Sequence, residues 1–220
     1  MNNTYIQKFD LDPVIPARLR EHMTVHDYKK GEKICEQGEA IDHLYLLVEG
    51  KIKIFTSSAQ GKILVLCFKK PLEAIGDVEY VRKSAVINTV EAVTPVRVLK
   101  MPYRAIDESG ASSVPFLQFL LRVITEKLHT DSNFTNFNLL HPVETRLASY
   151  LLSVSPEGED NPEELSNMVD VANLLGTSYR HLNRVINMMI KEKWIERKKG
   201  YITILDRESL RKLADPVLYE

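Results

Sequence analysis

The side chains best suited to recognising another molecule lie on one face of a predicted helix that follows Gly176 and Thr177. Polar side chains recur there at helical spacing, and apolar side chains occupy the opposite face. Arg can donate two hydrogen bonds to guanine, Asn can pair with adenine, and a Tyr ring can contact a thymine methyl group. The polar face is therefore suited to the base edges of duplex DNA. The candidate base-contacting residues are Ser178, Tyr179, Arg180, Asn183 and Arg184.

This helix is the second half of a predicted helix-turn-helix that extends over residues 167–186. Asn167 can cap the first helix, with Asp170 in its favourable first turn. Gly176 permits a tight reversal, and Ser178 can cap the second helix. The pattern predicts two helices joined by a short turn.

A basic hairpin, or wing, is predicted over residues 196–204. Lysines at its tip could reach phosphate groups, which fix the register of a protein on DNA without reading sequence. The candidate phosphate contacts are Thr177, His181, Lys198 and Lys199. Residues 176–200 carry seven basic and two acidic side chains, whereas 155–170 carry six acidic and no basic ones. A local basic block is typical of a nucleic-acid surface, although a charge run can also be a solvated face.

Composition excludes several protein classes. The chain has 220 residues, of which 44% are hydrophobic and 27% charged, with a formal net charge of -1. These values predict a soluble globular protein of one large or two modest domains. Its apolar runs are far shorter than the roughly 20 residues of a membrane helix, and no signal peptide is evident, so we expect a cytoplasmic protein with no membrane partner. Two cysteines are too few for a four-thiolate iron-sulfur cluster or a disulfide scaffold.

The N-terminal half predicts a β-rich domain. Between Thr24 and Lys100, short β-rich runs alternate with Gly or polar turns, which is typical of a β-sandwich or barrel. The predicted strands are His43 to Val48, Lys51 to Thr56, Lys62 to Phe68, Val86 to Val93 and Val96 to Met101.

A long helix is predicted from Ser113, and His141-Pro142 ends it before a further helix from Val143 to Val154. The long helix carries two apolar rows, which predict two packing partners. We expect one row to cover the β domain and the other to form a homodimer, although an ordinary core helix would show the same pattern. The first row is Phe116, Leu120 and Val123, and the dimer row is Leu117, Leu121, Ile124 and Leu128.

In these segments the chain resembles the family of the cyclic-AMP receptor protein and the fumarate and nitrate reduction regulator, which are bacterial transcription factors. The N-terminal half carries matching features at Lys30-Gly31-Glu32, Gln37-Gly38-Glu39, Leu46 to Gly50 and Ile75-Gly76-Asp77. The resemblance implies an α+β protein with a cyclic-nucleotide-binding-like β-barrel of the jelly-roll or double-stranded β-helix type at 1–110. A connector and dimerisation helix at 111–140 and a winged helix-turn-helix domain at 141–220 would follow. In the family, the segment matching 178–185 is the recognition helix.

The resemblance places a candidate effector pocket at Gly76, Asp77, Arg82, Lys83, Ser84 and Ala85. In nucleotide-binding members, a Glu holds the ribose and an Arg before Ser-Ala holds the cyclic phosphate. Here Asp77 replaces the Glu, the following loop is shorter, and Lys83 precedes Ser84. Lys cannot reproduce the two-pronged contact of Arg, so we predict an effector other than cyclic AMP and leave it unidentified. Gly76 and Asp77 could also simply shape a turn.

Other chemistry finds little support in the sequence. His22 and His26 have a spacing that could ligate a metal from one helix face, but no acidic or thiol cluster accompanies them, so we predict no metal. Cys35 and Cys67 lie in or beside predicted strands, where Cys usually behaves as a buried apolar residue rather than a redox switch. No catalytic motif is present, so we predict that the protein is not an enzyme.

Together these patterns predict a homodimeric transcription regulator that binds an inverted repeat in double-stranded DNA. A small-molecule effector at the sensor domain would bias the connector helix, and RNA polymerase is a further candidate partner. A regulator that is competent without ligand is the alternative. The rival class is a small-molecule-binding module whose C-terminal domain contacts protein.

Overall fold

The structure is a computed structural model that describes residues 2–58, 63–155, 163–164, 168–198 and 201–214. The chain divides into two compact units, Met1–Thr130 and Asp131–Glu220. The boundary falls within helix α5, which spans Val114–Leu140.

Two antiparallel four-stranded sheets form the body of the first unit. Their strands are β1 (Thr24–Tyr28), β2 (Lys33–Cys35), β3 (His43–Glu49), β4 (Ile52–Ser57), β5 (Ile63–Lys69), β6 (Glu73–Ile75), β7 (Thr89–Ala92) and β8 (Val96–Pro102). One sheet has the order β1-β8-β3-β6 and the other β2-β7-β4-β5. This interleaving is that of a jelly roll. The predicted α+β class is confirmed, with the described strands arranged as two facing sheets rather than as one closed barrel.

Strand β7 is shorter than the predicted run from Val86 to Val93. The backbone N–H of Val86 donates to the Glu39 carbonyl oxygen at 2.9 Å, and that of Ile87 donates to Glu79 Oε1 at 2.9 Å. These donors are used in a loop and do not join a strand ladder. The start of β5 predicted at Lys62 lies outside the described residues.

Among the described residues, three helices of the first unit precede strand β8. They are α1 (Asn2–Lys8), α2 (Ala17–Glu21) and α3 (Asp77–Arg82). After β8 the chain forms the short helix α4 (Tyr103–Ala105) and a π-helical turn, Ile106–Gly110, which lead into α5.

Two apolar clusters hold the sensor unit together. One fills the space between the sheets and includes Leu47, Ile52 and Val98, all fully buried. The other lies on the outer face of β3 and β8, where α1, α2 and α5 pack. Phe116 and Leu120 of α5 are 0% and 3% exposed in this cluster. The first apolar row of the long helix therefore covers the β domain, as predicted.

The second unit is a winged helix-turn-helix. Its elements are α6 (Val143–Val154), β9 (Glu163–Glu164), α7 (Met168–Leu174), α8 (Tyr179–Lys191), β10 (Ile195–Lys198), β11 (Tyr201–Ile204) and α9 (Arg207–Leu213). The strands form a sheet of order β10-β11-β9, and the helices share one apolar core that includes Leu147, Leu182 and Ile186. The described helices include none that is both long and apolar enough to cross a membrane.

Candidate DNA-binding surface and effector site

Helix α8 begins at a well-formed cap. Ser178 has an extended backbone, and its hydroxyl accepts a hydrogen bond from the backbone N–H of His181 at 3.2 Å, as predicted for an N-cap. Gly176 adopts a φ of +59°, which a glycine tolerates in the reversal that precedes this cap. The Thr177 N–H donates to the Ala172 carbonyl oxygen at 2.9 Å, so the turn is hydrogen-bonded to α7. The predicted cap at Asn167 lies outside the described residues.

The faces of α8 follow the predicted division. Its apolar face, formed by Leu182, Val185, Ile186 and Met189, is buried in the core. On the other face Tyr179, Arg180 and Arg184 are exposed, and Tyr179 retains 45% of its accessible surface. These three candidate base contacts therefore project from a helix that the core holds rigidly.

Asn183 differs from the other candidates because it is half-buried and already bonded. Its Oδ1 accepts a hydrogen bond at 2.9 Å from Nη1 of Arg197, which lies on wing strand β10. A contact from Asn183 to adenine would compete with this bond. Arg197 was not among the predicted site residues, and its role in linking the wing to α8 depends on a pairing that sequence spacing does not reveal.

The candidate phosphate contacts lie at the start of α8 and in the wing. Thr177 Oγ1 is 3.4 Å from His181 Nδ1, and both residues are half-buried at the helix N-terminus, where backbone N–H groups favour an anion. Lys198 is exposed and forms a 2.9 Å ion pair with Glu196. Such an exposed pair contributes only about 0–1 kcal/mol, so a phosphate can readily replace it. Lys199 lies outside the described residues.

Two polar side chains that the sequence analysis did not single out fix the turn from the other side. Asn138 Nδ2 donates to the carbonyl oxygen of Leu174 at 3.2 Å, and Arg146 Nη1 donates to that of Leu175. These carbonyls end α7 and have no partner within that helix. Asn138 and Arg146 therefore position the turn that precedes the recognition surface.

The candidate effector turn is tightly packed. Gly76 adopts a φ of +86°, and a Cβ there would lie 2.7 Å from the His43 carbonyl oxygen and 2.8 Å from Tyr103 Oη. Tyr103 in turn donates to the Gly76 carbonyl oxygen at 2.6 Å. Asp77 is only 2% exposed, and both its carboxylate oxygens accept from Nζ of Lys127, at 2.9 and 3.0 Å. The turn thus does more than reverse the chain, because it holds a buried ion pair.

The remaining effector candidates have different surroundings. Arg82, Lys83 and Ala85 are exposed, while Ser84 is half-buried and its Oγ has no hydrogen-bond partner among the described residues. Lys83 Nζ lies 4.4 Å from the Tyr80 ring centroid and 3.7 Å from Asp107 Oδ1. The sequence analysis missed Lys127, although its spacing from Phe116, Leu120 and Val123 places it on the buried row of α5 and could have identified it.

The cysteines and histidines singled out in the sequence lie on different elements of the first unit. Burial, aided by nearby Glu79, raises the pKa of the Cys35 thiol to about 12, and neither cysteine forms a disulfide bond. His22 lies at the end of α2 and His26 on β1, so the expectation that they share a helix face is wrong. Within the described part of the chain, no group of three or more His, Cys, Asp or Glu side chains is arranged to hold a metal ion.

The second apolar row of α5 is solvent-exposed in the single chain. Leu117, Leu121 and Leu128 are 43%, 63% and 69% exposed, and Ile124 is half-buried. Large apolar side chains concentrated on one helix face are a typical mark of an interaction surface.

Comparisons with known proteins agree with this architecture. A family model described as the cyclic nucleotide-binding domain matches residues 25–111, and one described as the Crp-like helix-turn-helix domain matches residues 145–213. The CRP-like cAMP-activated global transcriptional regulator of Mycobacterium tuberculosis is 23% identical over 210 residues, which cover 93% of this chain and 94% of the relative. The fumarate and nitrate reduction regulatory protein of Vibrio cholerae is 23% identical over 192 residues, which cover 84% of this chain and 76% of the relative.

The fold has a close counterpart among solved structures. A CRP/FNR-family transcriptional regulator from Thermus thermophilus superposes with a TM-score of 0.73 at 21% identity, covering 86% of this chain and 97% of the other. The sensor and helix-turn-helix matches, in this order along one chain, show that the protein belongs to the CRP/FNR family of DNA-binding transcription regulators.

Proposed function

We propose that the protein acts in the cytoplasm as a homodimer that binds an inverted repeat in duplex DNA and regulates transcription without enzymatic activity. A signal other than cyclic AMP acts at its jelly roll. In this proposal α8 is the recognition helix, and the unidentified effector and RNA polymerase are its further partners.

The observation that carries the DNA-binding proposal is the exposed face of α8. Tyr179, Arg180 and Arg184 project from a capped helix whose other face is buried, so their base contacts need little rearrangement of the backbone. Exposed Arg side chains on a rigid helix are suited to the two acceptors of guanine in the major groove. Thr177, His181, Lys198 and Lys199 contact phosphates in this proposal and fix the register.

The exposed row of α5 supports the homodimer. Leu117, Leu121 and Leu128 lie in helical register on a second face, about 100° around the helix axis from the row that covers the jelly roll. A second copy of the same row buries these side chains when two helices pack about a two-fold axis. Two recognition helices related by that axis would enter successive major grooves, about 34 Å apart.

Three features argue against cyclic AMP as the signal. Asp77, the acid in the candidate effector turn, is engaged by Lys127, and Lys83 stands where nucleotide binders carry an Arg. Lys83 is also exposed and lies over the Tyr80 ring. Neither the ribose nor the cyclic phosphate of the nucleotide therefore finds the partner it needs.

Selection from a pool of randomised DNA duplexes tests the proposal. We expect the purified full-length chain to enrich an inverted repeat whose half-sites are one helical turn apart, about 34 Å. The Arg184→Ala variant serves as the matched control. It should enrich sites in which the base sequence of each half-site is less strictly defined. Enrichment of a single half-site would contradict the dimer, and no enrichment would favour a C-terminal domain that contacts protein.

A further inference from the structure

A buried cluster of charges joins helix α5 to the jelly roll beside the candidate effector turn. Lys127 Nζ lies 2.9 and 3.0 Å from the two carboxylate oxygens of Asp77 and 3.0 Å from Glu73 Oε1. It also donates a 2.6 Å hydrogen bond to the carbonyl oxygen of Ala74. Lys69 Nζ lies 3.5 Å from Glu73 Oε2, so two ammonium groups face two carboxylates.

The cluster is largely closed to solvent. The side chains of Asp77, Glu73 and Lys127 are 3%, 10% and 20% exposed. Burial alone lowers the pKa of Lys127, but the carboxylates of Asp77 and Glu73 outweigh it and raise this pKa above its ordinary value. The ammonium group is therefore charged at neutral pH. Lysine is rarely buried unless its charge is paired, so its place on the inward row of α5 has a specific structural cause.

The ammonium group of Lys127 engages both carboxylate oxygens of Asp77, the acid of the candidate effector turn. An ammonium group has three N–H donors, and the described acceptors in reach are the Ala74 carbonyl and the carboxylates of Asp77 and Glu73. A polyol or ribose that docked on Asp77 would have to displace this ammonium group. Displacement would separate a buried cation from one of its two carboxylate partners, which is unfavourable.

We propose that Lys127 is an internal occupant of the effector site. Its ammonium group occupies Asp77, closes that acid to diol-bearing ligands such as cyclic nucleotides, and holds α5 in one arrangement on the jelly roll without a ligand. This inference rests on the proposed DNA-binding function and puts Lys127 in the place of its unidentified effector, because the DNA-competent arrangement is then set by the chain itself. If only a fraction of the protein had α5 in the DNA-competent arrangement, the apparent affinity for DNA would fall to that fraction of its full value. A helix held in one arrangement avoids this loss.

Three variants of the full-length protein separate this role from general packing. Lys127→Met keeps an apolar stem of similar length and removes the ammonium group. Arg122→Met also replaces a cationic side chain by Met, at an exposed position of the same helix, and is the matched control. A triple variant, Lys127→Met with Glu73→Gln and Asp77→Asn, removes the pairing without leaving buried carboxylates, and it replaces the single variant if that one does not fold.

Hydrogen–deuterium exchange reports on the cluster itself, without DNA. We expect deuterium uptake to rise in the segments around residues 73–82 and 120–130 in Lys127→Met or in the triple variant, and to stay at the wild-type level in Arg122→Met. Unchanged uptake in both folded variants that lack the Lys127 ammonium group would overturn the proposal.

Fluorescence anisotropy with the selected DNA site reports on the regulatory consequence. We expect the wild-type protein to bind without added ligand, and removal of the Lys127 ammonium group to weaken binding by about 10-fold or more, whereas Arg122→Met binds normally. Binding within about twofold of wild type by a folded Lys127→Met or triple variant refutes the regulatory role. If the wild-type protein binds no duplex DNA, the proposed function fails, and hydrogen exchange alone decides whether Lys127 holds the helix.

Discussion

At the scale of single residues, some side chains of the candidate DNA-binding surface are exposed, and others are already hydrogen-bonded within the protein. Arg180 and Arg184 are exposed on α8, whereas Asn183 accepts a hydrogen bond from Arg197. Exposed arginines can form two-pronged contacts to guanine, while an engaged Asn must first release its partner. Sequence specificity is therefore expected to depend on the arginines more than on Asn183.

Alanine substitutions test this division. Arg180→Ala and Arg184→Ala should each weaken binding to the selected site by about 1–3 kcal/mol and affect random DNA less, because each would remove a proposed base contact. Lys198→Ala should weaken both duplexes alike, because a phosphate contact carries no sequence information. Anisotropy titrations with the two duplexes measure these differences. Equal losses on both duplexes for all three variants would show that the readout assignment is wrong.

The Cys35 thiol should react slowly in the folded protein. Since burial raises the pKa of this thiol from its ordinary value of 9.0 to about 12, the thiol should hold roughly 1,000-fold less thiolate at pH 8 than an unperturbed one. In a Cys67→Ser variant, which retains Cys35 alone, labelling by a disulfide reagent should be slow in the folded protein and fast in denaturant. Fast labelling of the folded variant would contradict this prediction and would favour a redox switch at Cys35.

At the scale of elements, α5 has two faces with different environments. Phe116 and Leu120 are buried against the jelly roll, and Leu117, Leu121 and Leu128 are exposed. The exposed row has no partner within the described part of the chain that would remove it from water. A second copy of α5 is the partner we propose.

A charge in the exposed row should prevent dimerisation. Leu121→Glu would place two carboxylates near the two-fold axis, where burial without a cationic partner is unfavourable. Analytical ultracentrifugation at micromolar concentration should find dimers for the wild type and folded monomers for Leu121→Glu. Ile63→Glu, at an exposed apolar position on β5, is the control and should remain dimeric. A monomeric wild type, or a dimeric Leu121→Glu protein, places the interface elsewhere.

The helices and strands that could be predicted from the sequence are those long enough to show a helical or alternating pattern of apolar residues. Helix α6 begins at Val143 and ends at Val154 as predicted, and α8 buries the predicted face. Strands β2 and β6 have three residues each, which is too short for a clear alternation. The strand predicted from Val86 begins later because loop contacts use its first backbone donors.

The parts of the candidate sites that could not be predicted are contacts between distant segments. Asp77 and Lys127 lie 50 positions apart, and Asn183 and Arg197 lie 14 positions apart. Helical or strand spacing relates residues within one element, so it carries no information about such pairs. Tyr179, Arg180 and Arg184 share one helix, which is why their common exposure follows from spacing alone.

At the scale of the whole molecule, the first unit has the family architecture, but its candidate effector turn differs from that of nucleotide-binding members. Calorimetry with cyclic AMP should therefore give an affinity weaker than micromolar, which corresponds to a binding free energy smaller than about 8 kcal/mol. The reason is that Lys127 occupies Asp77 and that no Arg stands at Lys83. The cAMP-activated relative from Mycobacterium tuberculosis is the positive control. Micromolar or tighter binding would contradict this prediction.

In the proposed dimer, two basic recognition surfaces, one from each subunit, read the DNA sequence together. The most direct measurement is the affinity of the full-length chain for its selected inverted repeat and for a scrambled duplex over a range of salt concentrations. We predict an affinity for the repeat about 1,000-fold or more above that for the scrambled duplex, with both falling linearly on a logarithmic salt scale as phosphate contacts are lost. Binding that is independent of both salt and sequence, or absent, would contradict the account.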